Sequence, residues 1–140
     1  MPSTLDRELG RLFDAGVLPG TISAYLFGSQ ATGRAHRESD VDLGVLLDRA
    51  TYRDERRRFD ARLRLAAQAG RAFGGAALDV VVLNDAPPQL AREIVTRGRR
   101  VFCGDPDADH VFRRTVLSRA ADLEPFLRRT RRVKVSALRR

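Results

Sequence analysis

Residues 24–48 read AYLFGSQATGRAHRESDVDLGVLLD, and two features able to do chemistry meet in this stretch. A Gly28-Ser29 pair leaves one apolar run, and after ten further residues Asp40-Val41-Asp42 opens the next. In an extended chain residues i and i+2 point to one face, so Asp40 and Asp42 project side by side. Two carboxylates so placed repel each other and lose hydration. A divalent cation removes that conflict, and hard oxygen ligands favour Mg²⁺ or Mn²⁺. Asp79 stands likewise at the start of a later run, Leu78-Asp79-Val80-Val81-Val82. If the two runs are neighbouring strands, three carboxylates converge at one edge of a sheet. Gly28 lets a phosphate approach the backbone, the turn after it can aim N–H groups at an anion, and Ser29 offers a hydroxyl donor. Gly28-x4-Gly33 half-matches a P-loop, but Arg34-Ala35 stands where Lys-Ser/Thr is required, and that reading is rejected.

The elements that must position these residues follow from periodicity. Ser3 or Thr4 can cap a first helix with Leu5, Leu9, Leu12 and Phe13 on one face and Gly16 at its end. Ile22–Phe27, Val41–Leu47 and Leu78–Leu83 read as buried strands, and Arg100–Cys103 as a short edge strand. Phe59, Leu63, Ala66 and Phe73 fall at helical spacing, with Asp54–Arg58 and Asp60–Arg64 as i,i+4 pairs and Arg56-Arg57-Arg58 as a solvated face. Pro87-Pro88 suits the start of a helix whose stripe is Leu90, Ala91, Ile94 and Val95, ended by Gly98. A last helix from about Asp107 places Phe112, Val116, Ala120, Leu123 and Leu127 on one side, and Pro125 should kink it or start a fresh turn. This order indicates an α/β (α+β) fold, a small mixed β-sheet with flanking helices.

A chain of 140 residues, 43% hydrophobic and 31% charged, supports one soluble domain with one core. Residues 1–130 are read as that domain and 131–140 as a basic C-terminal tail. Cys103 is the single cysteine, which excludes an intramolecular disulfide framework. The net charge of +8 suggests nucleic acid, but seven basic residues from Arg128 to Arg140 supply most of it. The remainder carries 19 basic against 18 acidic residues. No aromatic is interleaved with the tail, so nucleic acid is not expected as a ligand and a disordered or partner-docking extension fits as well. The longest uncharged run, 15–33, is broken by glycines and Pro19 and is too polar for a membrane span. A cytoplasmic protein is expected. Tyr25, Tyr52 and Cys103 read as packing residues, His36 and His110 as surface.

The pattern G-S-x10-D-x-D followed by a later strand Asp resembles the DNA polymerase β-like nucleotidyltransferase superfamily. Over about residues 5–130 the chain is similar to its minimal nucleotidyltransferase (MNT) branch, including LDVVVLNDAPPQLAREIVTRGRRVFCGD and LEPFLRR. The resemblance implies the polymerase β-like fold and a two-metal, Mg²⁺-dependent transfer of a nucleoside monophosphate from ATP. Asp40, Asp42 and Asp79 would be catalytic and metal-binding, with Asp79 on the side of the incoming hydroxyl. Gly28 and Ser29 would hold the nucleotide, and Arg37, like Arg34 in the loop between the motif halves, could touch a phosphate. The resemblance further implies a HEPN-type toxin as partner, silenced by AMP transfer to a tyrosine. Two alternatives stand beside this: an antitoxin that acts by binding alone, and a small-molecule nucleotidyltransferase of the antibiotic-inactivating kind. So short a chain leaves little to enclose an antibiotic.

Overall fold

Short β-rich runs alternating with amphipathic stretches can bury both only by layering helices on a sheet. The computed structural model describes residues 4–28, 41–73 and 78–138, with side chains as far as Pro125. Its elements are α1 (Thr4–Asp14), β1 (Thr21–Phe27), β2 (Val41–Leu47), α2 (Glu55–Ala72), β3 (Leu78–Val82), a 3₁₀ turn (Leu83–Asp85), α3 (Pro88–Arg97), β4 (Arg99–Cys103) and α4 (Pro106–Leu138). The strand order is β3-β2-β1-β4. β1 runs antiparallel to both its neighbours, and β2 is parallel to β3. The mixed sheet with flanking helices is as expected, and each strand lies within a residue of its expected ends.

Helices cover both faces, which is why the strands read as nearly unbroken apolar runs. Val41, Leu43, Val45 and Leu47 of β2 join Leu9 and Phe13 of α1 and Ala61, Leu65 and Ala69 of α2 in one core. Tyr25 and Leu46 turn the other way, onto Ala91, Ile94 and Val95 of α3 and Val116 of α4. Gly44 lets α3 lie close on β2, since a Cβ there would stand 2.9 Å from Ile94 Cγ2. Past the end of β3 the Asn84 side chain continues the ladder. Its Oδ1 accepts from Leu47 N at 2.9 Å and its Nδ2 donates to Leu47 O at 2.8 Å.

Two helices depart from expectation. On α2 the buried stripe is Arg58, Ala61, Leu65 and Ala69, whereas Phe59 and Leu63 are 51% and 53% exposed. Small alanines bring the helix close to the sheet, and that proximity outweighs the larger apolar area of Phe59 and Leu63. Arg58 is buried rather than solvated. Its Nε and Nη2 donate to Asp85 Oδ2 and Oδ1 at 2.8 and 2.9 Å, and Nη1 donates to Tyr52 O at 3.0 Å. Asp54 therefore does not take Arg58 as its i,i+4 partner but caps α2, accepting from Arg57 N at 2.8 Å. On α4 Val116 and Ala120 are buried, while Leu123 is 39% exposed. The helix continues unbroken through Pro125, and the Leu127 side chain lies outside the described residues.

One buried polar cluster ties α4 to the sheet. Asp109 is 1% exposed, and its Oδ1 accepts from Ser23 Oγ and Tyr25 Oη, each at 2.6 Å. Its Oδ2 accepts from Arg100 Nη1 at 2.9 Å. Arg113 Nη1 donates to Tyr25 Oη at 3.2 Å, and its guanidinium lies over the tyrosine ring. Burial alone would raise the Asp109 carboxyl, but the bonds from Ser23, Tyr25 and Arg100 outweigh it and hold the group below its ordinary value. Burial, and then the bond to Asp109, push the Tyr25 hydroxyl up. A depressed carboxyl contributes stability above its unfolded value and loses it as pH falls through the folded one. Asp109→Ala should thus cost about 3 kcal/mol at pH 7 by urea unfolding, the low end for breaking a buried pair because Arg100 is partly in water. The variant should also lose less stability than the wild type below pH 4.

Candidate active site

Phe27 pairs with Asp42 across β1 and β2, and Asp42 pairs with Asp79 across β2 and β3. Since Val41, Leu43 and Val80 point into the α1–α2 core, period-two alternation turns Asp42 and Asp79 to the α3–α4 face. The two carboxylates thus stand on neighbouring strands at one end of the sheet, strand-spacing apart, about 4.8 Å between backbones. Asp42 is half-buried and Asp79 exposed. Gly28 completes the corner, turning the chain off β1 with φ of 77°. A Cβ on Gly28 would lie 2.2 Å from Asp42 Oδ2 and 3.0 Å from its Cγ, so only glycine lets the carboxylate sit against this backbone.

Of the expected site residues the structure places Gly28, Asp42 and Asp79 together. Ser29, Arg34, His36, Arg37 and Asp40 lie outside the described residues. No group of three or more metal-ligating side chains occurs among the described residues. A cavity of about 670 Å³ is at the opposite end of the sheet, between Leu46–Arg49 and α4, and is lined by neither aspartate. Tyr52 is buried with its hydroxyl donating to Pro19 O, a packing role. His110 is exposed and Cys103 half-buried.

Sequence reasoning missed two ion pairs that frame this corner. Asp6 of α1 accepts from Arg99 Nε and Nη2 at 3.1 and 3.0 Å, and Arg99 stands opposite Leu26, next to Phe27. The Asp109 cluster holds Tyr25 on the same face of β1 as Phe27. Ser23 and Tyr25, polar tips two residues apart on an apolar strand, were the available signal for a buried acid opposite them.

A family model of "Polymerase beta, Nucleotidyltransferase" matches residues 19–107, the span that holds this corner. The chain belongs to that family of nucleotidyltransferases. Among its relatives is the protein adenylyltransferase MntA of Shewanella oneidensis, 32% identical over 95 residues, or 68% of this chain and 63% of that protein. The chain therefore matches somewhat less than two thirds of that relative's length. A crystal structure of a toxin–antitoxin with AMP-PNP superposes with a TM-score of 0.71 at 27% identity, covering 96% of this chain and 98% of the other. A structure of a tri-AMPylated Shewanella oneidensis HEPN toxin in complex with MNT antitoxin gives a TM-score of 0.63 over 96% and 99% of the chains. At 24% identity this last likeness speaks for the fold alone.

Gly28 is the most direct handle on the corner. Gly28→Ala should cost about 1–2 kcal/mol for the left-handed backbone and more for displacing Asp42. In an Asp42→Ala background the steric part should vanish and only the backbone part remain, measured as a double-mutant cycle by urea unfolding.

Proposed function

We propose that this chain is an ATP-dependent protein adenylyltransferase that serves as antitoxin to a HEPN-type RNase toxin, moving AMP onto a tyrosine hydroxyl of that toxin. The observation that carries the reading is the register of Asp42 against Asp79 beside the Gly28 turn. Its likeness to a protein adenylyltransferase and to a toxin–antitoxin with AMP-PNP supports it. Gly28, with Ser29 and Arg37, is assigned to the triphosphate. Asp40, Asp42 and Asp79 would supply an all-carboxylate donor set of the kind that suits Mg²⁺, and Gly28 lets the Asp42 carboxylate sit against the backbone of its turn. Bound there, Mg²⁺ supplies charge neutralisation of the phosphates and lowers the proton affinity of a nearby hydroxyl. Asp79, exposed on the outermost strand, receives the tyrosine proton as the tyrosine oxygen bonds to the α-phosphorus. The bond from that phosphorus to the β-phosphate oxygen breaks, and pyrophosphate leaves.

A cytoplasmic location accompanies this reading, because the ATP donor is abundant there; no helix among the described residues is long and apolar enough to cross a membrane. We also read residues 1–130 as the nucleotidyltransferase domain and 131–140 as a basic extension. Deleting Lys134–Arg140 should then leave the melting temperature unchanged, and a large drop would mean that the extension is docked.

The function itself is tested by incubating purified HEPN-type toxin with Mg-ATP and either wild-type or Asp79→Asn protein, then weighing the toxin by intact mass spectrometry. Wild type should add discrete AMP masses that map to tyrosine. Asp79→Asn should be slower by about 10²–10⁴ or more, the usual cost of losing a general base. Full neutralisation without ATP and without any mass gain would sink the enzyme reading in favour of inhibition by binding alone.

A further inference from the structure

The two edges of the sheet are treated differently. β4 carries Arg99 and Arg100, is paired to α1 through Asp6, and lies so close to α1 that a Cβ on Gly10 would be 3.2 Å from Val101 O. Such charge and cover are the ordinary protection of an edge. β3, at the other end of the strand order, is Leu-Asp-Val-Val-Val, with neither proline nor cation. A groove of about 260 Å³ runs along it, its apolar lining the β3 valines, Phe59 and Leu90, with the charged Glu55, Arg62 and Asp85 also on its walls. Phe59 is 51% and Leu90 38% exposed, large apolar side chains on either side of a strand edge that no further strand pairs with among the described residues.

Asp79 is exposed on this same strand. Among the described residues no further strand pairs with the outer edge of β3, so a protein approaching from outside the sheet can reach Asp79 along that edge. We infer that an extended segment of the acceptor protein adds to β3 as a fifth strand, with its tyrosine on the α3–α4 face beside Asp79. The inference rests on the adenylyltransferase reading. Main-chain bonds to β3 supply affinity, and alternate side chains supply selectivity. A residue two positions from the tyrosine shares its face and meets Pro87 and Leu90. The residue between them faces Phe59. The substrate class is thus a tyrosine in an extended segment with apolar neighbours at those two places, not a tyrosine held on a rigid helix. A second copy of this chain on the same edge would instead block the approach to Asp79.

The test uses Phe59→Lys and Leu90→Lys, half-exposed positions apart from the carboxylates, with Phe59→Leu as the conservative control. Transfer to purified HEPN-type toxin should show KM for toxin raised about tenfold in each Lys variant, as for loss of an anchoring contact. The rate at saturating toxin and the affinity for AMP-PNP should be retained, and Phe59→Leu should restore KM. Hydrogen exchange should show the Leu78–Val82 amides protected when toxin binds in AMP-PNP. Wild-type transfer with unchanged KM in both Lys variants, or with no protection of those amides, overturns the strand addition while leaving the adenylyltransferase reading intact. A dimer of this chain alone that Phe59→Lys dissociates in the ultracentrifuge also overturns it. No transfer by wild type overturns both.

Discussion

Two like charges on adjacent strands are held in register, and the rest of the structure is arranged around keeping them there. Parallel pairing of β2 with β3 sets Asp42 beside Asp79, and antiparallel pairing of β1 with β2 brings the end of β1 to the same corner. Backbone ladders fix these positions more firmly than side-chain packing could, because a slip of one residue would turn every side chain to the other face. Both faces of β2 are packed, so such a slip would turn Asp42 into the apolar core between the sheet and α1 and α2. The side-by-side placement of these two residues is thereby imposed by the folding of the whole sheet.

The supporting ion pairs sit where helices must be pinned to that sheet. Arg58–Asp85 joins α2 to the turn after β3, Asp6–Arg99 joins α1 to β4, and Asp109 joins α4 to β1 and β4. Each acid answers an arginine at 2.8–3.0 Å. None of these three acids is among the expected site carboxylates. No buried side-chain polar atom among the described residues lacks a partner, which suits a small fold that can spare little stability.

Much of this was legible in the sequence, for physical reasons. The strands announced themselves because burial on two faces produces unbroken apolar runs, and Gly16 and Gly98 marked helix ends. The pair Gly28 and Asp42 was legible from type and spacing alone, although their contact was not. The α2 stripe was misread because periodicity favours large apolar residues, whereas here Ala61 and Ala69 face the sheet and Phe59 faces out. Arg58 was misread for a related reason: a charge in an arginine run looks solvated until its partner, 27 residues away, is known. Asp109 carried no local mark, since an acid in the first turn of a helix is ordinary.

The central claim is that Asp42 and Asp79 act as one site. The most direct measurement is a double-mutant cycle for Mn²⁺ affinity in the presence of AMP-PNP, read by electron paramagnetic resonance on wild type, Asp42→Asn, Asp79→Asn and the double variant. A shared site predicts strong non-additivity, the second substitution costing much less once the first is made, with a coupling of about 1 kcal/mol or more. Losses that simply add, or affinities that neither substitution changes, would contradict it.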